Sequence, residues 1–145
     1  MAERTVLVLN GPNLNLLGTR EPEIYGRDTL DQISKRLIVR GSELGLTVEC
    51  RQTNHEGLLV DWLHEARVRA VHAVLLNAGA YTHTSIALLD AIRAIDVPVI
   101  EVHLSDPETR EPFRHRSYVG MAAIDCVKGL GAQSYVVALE RAAAL

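Results

Sequence analysis

The sequence predicts an α/β fold: a five-stranded parallel sheet with helices on both faces. The first indication is that short apolar runs, typical of strands covered on both faces, alternate with segments whose apolar residues recur at helical spacing. The second is that the connections are mostly short, which favours parallel strands joined by right-handed crossovers. With 145 residues and 48% apolar composition, the chain can bury a core, and residues 1–145 are expected to form a single domain.

The individual elements follow from local signals along the chain. The run Thr5-Val6-Leu7-Val8-Leu9 predicts a first strand over 4–10. Thr29 and Gln32 form a capping box that predicts the start of the first long helix, and Gly45 lies near its end. The same reasoning predicts further strands over 46–52, 71–76, 97–103 and 121–127, and helices around 58–66, 84–95 and 131–145.

Composition excludes several classes of function. The formal net charge of −3 gives no case for nonspecific nucleic-acid binding. No apolar run is long enough to span a bilayer, and residues 1–9 lack the features of a secretory signal, so a cytoplasmic protein is expected. Cys50 and Cys126 are isolated in the sequence, which predicts neither a disulfide framework nor a zinc knuckle.

The common nucleotide and hydrolase motifs do not occur. The chain has no Walker loop, no G-x-S-x-G elbow and no H-E-x-x-H helix. A metal site is conceivable, but the spacing of the candidate ligands does not support one. These ligands are Glu101, His103, His83 and Asp90. The residues alone therefore predict no metal site.

The most unusual stretch follows the first strand: residues 10–25 read NGPNLNLLGTREPEIY. A loop of this length in a small domain is usually functional or disordered, and its composition favours function. Residues 18–28 are expected to form a lid. In open parallel sheets, ligands bind beyond the carboxyl ends of the strands, near a topological switch point. Chemically distinctive residues do follow the first, third and fourth predicted strands, namely Asn10, Asn13, Asn77, His83, Glu101 and His103.

Two pairs of residues suggest acid–base chemistry. Glu101 and His103 point to the same face of a strand, so the carboxylate can orient the imidazole as a general acid or base. A surface salt bridge explains that pair equally well. A guanidinium near a phenol favours the phenolate, so Arg20 beside Tyr25 would make a base. Taken alone, two solvent-facing loop residues are the better interpretation of the second pair.

Amide side chains near the strand ends suit a developing enolate or a substrate hydroxyl, because they donate without adding charge. Asn13 and Asn77 are open candidates for that role. Asn10 and Asn15 are better explained by turn chemistry, which Asn favours in any case.

A second polar loop follows the fourth strand and suggests an acidic substrate. Arg110 and Arg114 carry guanidinium groups that match carboxylates, although a solvated basic loop is the plainer alternative. Leu104 and Ser105 can offer backbone N–H groups to an anion, and His83 lies near a predicted helix start, which also favours anions. Asp90 on the third long helix would ordinarily be an exposed charge.

These residues, in this order, resemble the type II 3-dehydroquinases. The matching segments cover nearly the whole chain and are NGPNLNLLGTREPEIYG at 10–26, TNHEG at 53–57, NAGAYTHTSIALLDA at 77–91, EVHLS at 101–105, REPFRHRSY at 110–118 and GLGAQSY at 129–135. The resemblance implies a flavodoxin-like fold and a hydro-lyase of the shikimate pathway or of quinate catabolism. The implied reaction is anti elimination of water from 3-dehydroquinate, through an enolate, to give 3-dehydroshikimate without metal or organic cofactor.

The resemblance also implies a role for each matching residue. Tyr25 would be the base, kept ionised by Arg20, and His103 would be the acid, oriented by Glu101. Asn13 would hold the enolate. The substrate-binding residues would be Asn77, His83, Leu104, Ser105 and Arg114, with Arg110 closing the site. Asp90 would reach the site of a neighbouring subunit in a dodecamer of four trimers.

Two other interpretations remain from the residues themselves. The first is a noncatalytic flavodoxin-like module that binds a small anion, in which Tyr25 and His103 would be dispensable. The second, weaker one is a structural protein that forms trimers. A Schiff-base mechanism is unlike this sequence, since its lysines, Lys35 and Lys128, do not follow a predicted strand of the site.

Overall fold

The computed structural model describes residues 3–19 and 21–145 and contains the predicted parallel sheet. Within these residues the strands are β1 (Thr5–Asn10), β2 (Thr47–Gln52), β3 (Ala73–Asn77), β4 (Val99–Val102) and β5 (Asp125–Val127). The α-helices are α1 (Pro22–Tyr25), α2 (Leu30–Glu43), α3 (Glu56–Val68), α4 (Ile86–Ile95) and α5 (Gln133–Ala143). No helix of the described part of the chain is both long and apolar enough to cross a membrane.

The strand order creates the switch point that the sequence predicted. The order is β2-β1-β3-β4-β5, and all neighbours are parallel, which is the flavodoxin-like arrangement. The chain moves outward from β1 to β2, then returns to the other side of β1 with β3. Asn10 and Asn77 are register partners at the carboxyl ends of β1 and β3. The switch point therefore lies beside these two amides.

Both faces of the sheet are buried, as the apolar runs indicated. Val6 and Val8 of β1 pack in one core cluster, with α2 and α5. Leu7 and Leu9 point to the opposite face and pack with α3 and α4. Because successive residues of a strand face opposite sides, one apolar run supplies both layers.

Side-chain caps set the starts of two helices. The capping box predicted before α2 is present: the N–H of Gln32 donates to Thr29 Oγ1 at 3.2 Å, and the N–H of Thr29 donates to Gln32 Oε1 at 2.9 Å. Ser85 caps α4 by accepting from the N–H of Leu88 at 3.0 Å. The second cap fixes where the segment after β3 turns into helix.

Two segments differ from the sequence-based expectations. β5 is shorter than the predicted strand over 121–127, because residues 119–121 form a single 3-10 turn and only 125–127 pair with β4. The loop after β1 also contains more helix than expected: a 3-10 turn at 14–16 and α1, which begins at Pro22. Proline suits the first turn of a helix, where its missing N–H leaves no bond unmade.

Candidate active site

One cavity lies at the carboxyl edge of the sheet, beside the switch point. Segments that follow β1, β3 and β4 line it, as the sequence predicted from the order of the strands. The predicted site residues among its lining are Asn13, Tyr25, Asn77, His83, His103, Leu104, Ser105, Arg110 and Arg114. Residues that are far apart in the sequence are thus gathered around a single space.

Glu101 lies behind His103 and holds it. Both side chains are nearly excluded from solvent, with 5% of the Glu101 and 9% of the His103 side-chain surface exposed. His103 Nε2 lies 2.6 Å from Glu101 Oε2, and the hydroxyl of Ser117 donates to the same oxygen at 2.6 Å. Burial raises the pKa of Glu101, but the hydrogen bonds from His103 and Ser117 and the positive charge of protonated His103 outweigh it and leave the pKa lowered. The carboxylate is therefore ionised at neutral pH and fixes the orientation of the imidazole.

Tyr25 ends α1 and faces a cation from the second polar loop. The guanidinium carbon of Arg110 lies 5.1 Å from the centre of the Tyr25 ring, in a cation–π contact. Arg110 is also held by Ser105, since its Nη1 donates to Ser105 Oγ at 3.4 Å. The cation predicted beside Tyr25, Arg20, lies outside the described residues. Arg110, which the family resemblance assigns to closing the site, thus contacts the phenol ring of Tyr25.

A buried chain of hydrogen bonds positions Asn77. Its Nδ2 donates to the hydroxyl of Tyr135 at 2.8 Å, and that hydroxyl donates to Asn10 Oδ1 at 2.6 Å. Asn77 Oδ1 accepts from the N–H of Gly79 at 3.2 Å. Burial raises the pKa of Tyr135, so its hydroxyl stays neutral and can both accept and donate.

Sequence reasoning missed Tyr135 and Ser117 and explained Asn10 by turn chemistry alone. Both hydroxyl residues fall in segments that match the family resemblance, at 129–135 and 110–118. A hydroxyl-bearing aromatic on the apolar face of the last helix was the available signal for Tyr135, because a buried tyrosine hydroxyl usually has a polar partner. Ser117 offered no comparable signal.

His83 lies beside His103 with its ring nearly parallel. The ring centroids are 6.5 Å apart, and the interplanar angle is 14°. His83 Nδ1 lies 2.8 Å from the carbonyl oxygen of Arg116, to which it donates. Burial lowers the pKa of His83, and the nearby charges of His103 and Arg114 add to this, against the opposing effect of the carbonyl. A neutral His83 is therefore next to the imidazole that Glu101 orients.

Asn13 adopts a backbone conformation that is uncommon for a residue with a side chain. Its φ is 68°, in the left-handed region, where Asn is tolerated better than most residues. The N–H of Asn13 donates to Asn54 Oδ1 at 3.1 Å, which anchors the start of the loop to the segment between β2 and α3. This anchor keeps the residue at the wall of the cavity.

Asp90 is the predicted substrate-binding residue that the structure does not bring into this cavity. It lies on α4 with an exposed side chain and is not among the residues that line the space. Its expected role concerns a neighbouring subunit, so its position on the outside of this chain is compatible with that role and leaves it a prediction.

A second group of potential ligands lies behind His103. One side-chain ligand atom from each of Glu101, His103 and Cys126 falls within 4.8 Å of the others. Desolvation and the carboxylate of Glu101 raise the pKa of the Cys126 thiol to about 12, so the thiol is protonated. This set differs from the metal ligands considered from the sequence, because it includes Cys126 and lacks His83 and Asp90.

Comparison with known proteins gives one consistent result. Residues 4–143 match the family model described as dehydroquinase class II. A 3-dehydroquinate dehydratase of Caulobacter sp. (strain K31) is 56% identical over 142 residues, which span 98% of this chain and 96% of the relative. The crystal structure of a type II dehydroquinase from Propionibacterium acnes has a TM-score of 0.94 and 43% identity, covering 99% of this chain and 100% of that one. The type II dehydroquinase structure from Butyrivibrio crossotus DSM 2876 also has a TM-score of 0.94, at 36% identity and with 97% of each chain covered.

Proposed function

The chain belongs to the class II dehydroquinase family, and we propose from this membership that it is a 3-dehydroquinate dehydratase, a hydro-lyase that converts 3-dehydroquinate to 3-dehydroshikimate. The observation that carries the proposal is a cavity that unites Tyr25 with a His103 held by a buried carboxylate. A base and an acid on separate segments can act on different faces of one ring.

Elimination of water beside a ketone needs three things: a base, a stabiliser for the enolate and an acid for the leaving hydroxyl. Tyr25, as phenolate, takes the proton from the carbon next to the ketone, and the electron pair forms the enolate. Asn13 stabilises the enolate oxygen. The enolate then re-forms the ketone and a carbon–carbon double bond, while the tertiary hydroxyl leaves as water with a proton from His103. The proton on Tyr25 returns to His103 through solvent, which resets the site.

The acid in this scheme is supported by the buried carboxylate behind it. An ionised Glu101 stabilises the imidazolium of His103 and directs the remaining ring nitrogen, Nδ1, toward other partners, because Nε2 is committed to the carboxylate. Ser117 keeps one oxygen of that carboxylate in place. His103 is thus supplied with both charge stabilisation and a fixed orientation.

The base in this scheme is supported by the cation that contacts its ring. The guanidinium of Arg110 stabilises negative charge on the Tyr25 side chain, and it does so without being able to lose its own proton. The role of Arg20 in the same step remains a prediction from the family resemblance. Residues 18–28, which carry Tyr25, are proposed to act as a lid that excludes water when the substrate is bound.

Substrate binding is proposed to use the polar lining of the cavity. The substrate carries a carboxylate, for which Arg forks and backbone N–H groups are well suited. The proposed binding residues are Asn77, His83, Leu104, Ser105, Arg110 and Arg114. Asp90 of a neighbouring copy is proposed to complete the site in a dodecamer of four trimers, which the exposure of Asp90 on α4 would permit. A cytoplasmic location is proposed with it.

A direct assay tests the proposal. Purified protein is mixed with 3-dehydroquinate, and the ultraviolet absorbance of the conjugated enone product is followed, with Tyr25→Phe and His103→Ala as variants. The enzyme is expected to form the enone, and both variants are expected to be nearly inactive while remaining folded by circular dichroism. Folded wild-type protein that forms no product would refute the enzyme. The noncatalytic anion-binding alternative, which predicts unchanged variants, is not supported by the names of the relatives.

A further inference from the structure

A second cavity, of about 220 Å³, lies against His103 and does not include Tyr25 or Asn13 in its lining. His103 and His83 contribute to both cavities, whereas Glu101 and Cys126 line only the second. The other side chains of interest in its wall are Thr82, Ser117 and Lys128. Small molecules or ions can therefore approach the Glu101–His103 pair without passing through the proposed substrate cavity.

Strand register explains why three ligating side chains meet there. Glu101 of β4 and Cys126 of β5 are register partners, so their side chains lie side by side on one face of the sheet. His103 follows Glu101 by two residues and comes to the same face. The result is a carboxylate oxygen, an imidazole nitrogen and a sulfur within 4.8 Å of one another.

We propose that Glu101, His103 and Cys126 form an inhibitory binding site for Zn²⁺ or a similar thiophilic divalent cation. Zinc binds oxygen and nitrogen at about 2.0–2.2 Å and thiolate at about 2.3 Å, in tetrahedral geometry, so its ligand atoms lie about 3.3–3.8 Å apart. The three atoms now lie within 4.8 Å of one another, and His103 Nε2 is 2.6 Å from Glu101 Oε2, so binding of the ion requires these two atoms to move apart. A water molecule completes the fourth position.

The charges of the proposed complex balance. The thiol of Cys126 loses its proton to solvent as the sulfur binds the ion, and the proton of His103 leaves Nε2 so that this nitrogen can donate its lone pair. One thiolate and one carboxylate then neutralise the two positive charges of the ion. The ammonium of Lys128 in the wall of the cavity is offset by Asp106 at 3.6 Å and Glu108 at 3.2 Å.

Binding of the ion would stop the proposed reaction at its acid step. The ion binds Nε2 of His103, which is the nitrogen that lies against Glu101, and it also binds the Glu101 carboxylate. A metal-bound neutral imidazole is a far weaker acid than an imidazolium, so the leaving hydroxyl loses its proton donor. This inhibition rests on the proposed function, whereas binding of the ion does not.

Cobalt titration tests the site without reference to activity. Chelator-treated protein is titrated with Co²⁺ while thiolate-to-cobalt charge-transfer absorption is recorded, for wild type, Cys126→Ser and the control Cys50→Ser. Cys50, the other cysteine, lies on β2 away from the cluster. Wild type and Cys50→Ser are expected to bind one Co²⁺ per chain and to show the thiolate-to-cobalt absorption. Cys126→Ser is expected to lose this absorption and to bind Co²⁺ more weakly, by roughly tenfold or more. A wild type without this absorption, or a Cys126→Ser variant that keeps it, would overturn the site.

Zinc titration of the reaction tests the inhibition. Each variant is compared with its own metal-free rate, so a change in basal activity does not enter. Wild type and Cys50→Ser are expected to be inhibited reversibly, with recovery on adding chelator, and Cys126→Ser is expected to need roughly tenfold or more Zn²⁺. Equal sensitivity of all three proteins would overturn the inhibitory role. If metal-free wild type shows no turnover, the proposed function fails, and the cobalt titration still decides the site.

Discussion

The imidazole of His103 lies 2.6 Å from the carboxylate of Glu101, and neither side chain exposes more than 9% of its surface. A buried carboxylate is unfavourable unless it is paired and hydrogen-bonded, and here His103 and Ser117 supply both. The same arrangement prepares an imidazole to carry a proton. The stability of the fold and the proposed chemistry therefore both depend on the ionised carboxylate of Glu101.

Replacing Glu101 by Gln is expected to lower kcat by about 10²–10⁴-fold with a smaller change in KM. The amide keeps the shape of the carboxylate but cannot stabilise an imidazolium. Steady-state kinetics with 3-dehydroquinate measure the effect, and Glu140→Gln, at an exposed ion pair with Arg40, serves as the control. A variant with wild-type kcat would show that His103 needs no charged partner.

The stability of the protein is expected to depend on Glu101 at acid pH. Its pKa in the folded protein is below its ordinary value of 4.5, so between the two pKa values the unfolded chain binds more protons. The stabilisation is complete above pH 4.5 and is lost as the pH falls through the folded pKa. Urea unfolding as a function of pH is expected to show a smaller decrease for Glu101→Gln than for wild type. Parallel curves would contradict the assignment.

Arg110 is expected to act on Tyr25 through its charge. Arg110→Gln is expected to lower kcat/KM by about 2- to 30-fold, which corresponds to about 0.5–2 kcal/mol for a cation–π contact. Arg110→Lys, which keeps the charge, should retain more activity than Arg110→Gln. The matched control is Arg116→Gln, because the guanidinium of Arg116 lies over the ring of Tyr118 at 5.8 Å, and neither residue lines the cavity. Equal losses in the Lys and Gln variants of Arg110 would indicate packing instead of charge.

Tyr135 is expected to matter for both stability and binding. Tyr135→Phe removes the hydroxyl that joins Asn77 to Asn10 and leaves two buried amides short of a partner, at a cost of about 1–3 kcal/mol in the free energy of unfolding. Because Asn77 lines the cavity, KM is expected to rise as well. The control is Tyr118→Phe, since the hydroxyl of Tyr118 contacts only an exposed Arg116 at 3.3 Å among the bonds described. Unchanged KM together with lost stability would assign Tyr135 to the core alone.

Local signals in the sequence predicted most of the fold, and the family resemblance named most of the polar residues that line the cavity, whereas contacts between distant segments account for the rest. The capping box at Thr29 and the alternation of strands and helices are local, so they could be predicted. The bond between Asn77 and Tyr135 joins residues 58 positions apart and depends on how α5 packs, which no local pattern encodes. The position of Cys126 beside Glu101 likewise depends on the register of β4 and β5, and β5 was itself predicted four residues too long at its start.

Gly11 is expected to be irreplaceable because the chain passes very close to Ala78 at the switch point. The N–H of Gly11 donates to the carbonyl oxygen of Asn77 at 2.8 Å, and a Cβ on Gly11 would lie 2.7 Å from the carbonyl carbon of Ala78. These are backbone atoms, so they cannot rotate away as a side chain could. Gly11→Ala is therefore expected to lose about 1–3 kcal/mol of unfolding free energy and to displace Asn77 and Asn13.

Gly57 in α3 provides the matched control, since a Cβ there would meet no atom within 4 Å. Gly57→Ala is expected to gain about 0.4–1 kcal/mol, because alanine restricts the unfolded chain and favours helix. Urea unfolding of the two variants measures the contrast, and kcat/KM shows whether the cavity follows the backbone. A Gly11→Ala variant as stable and as active as wild type would contradict this prediction. It would mean that the backbone after β1 can move away from Ala78 without displacing Asn77 and Asn13.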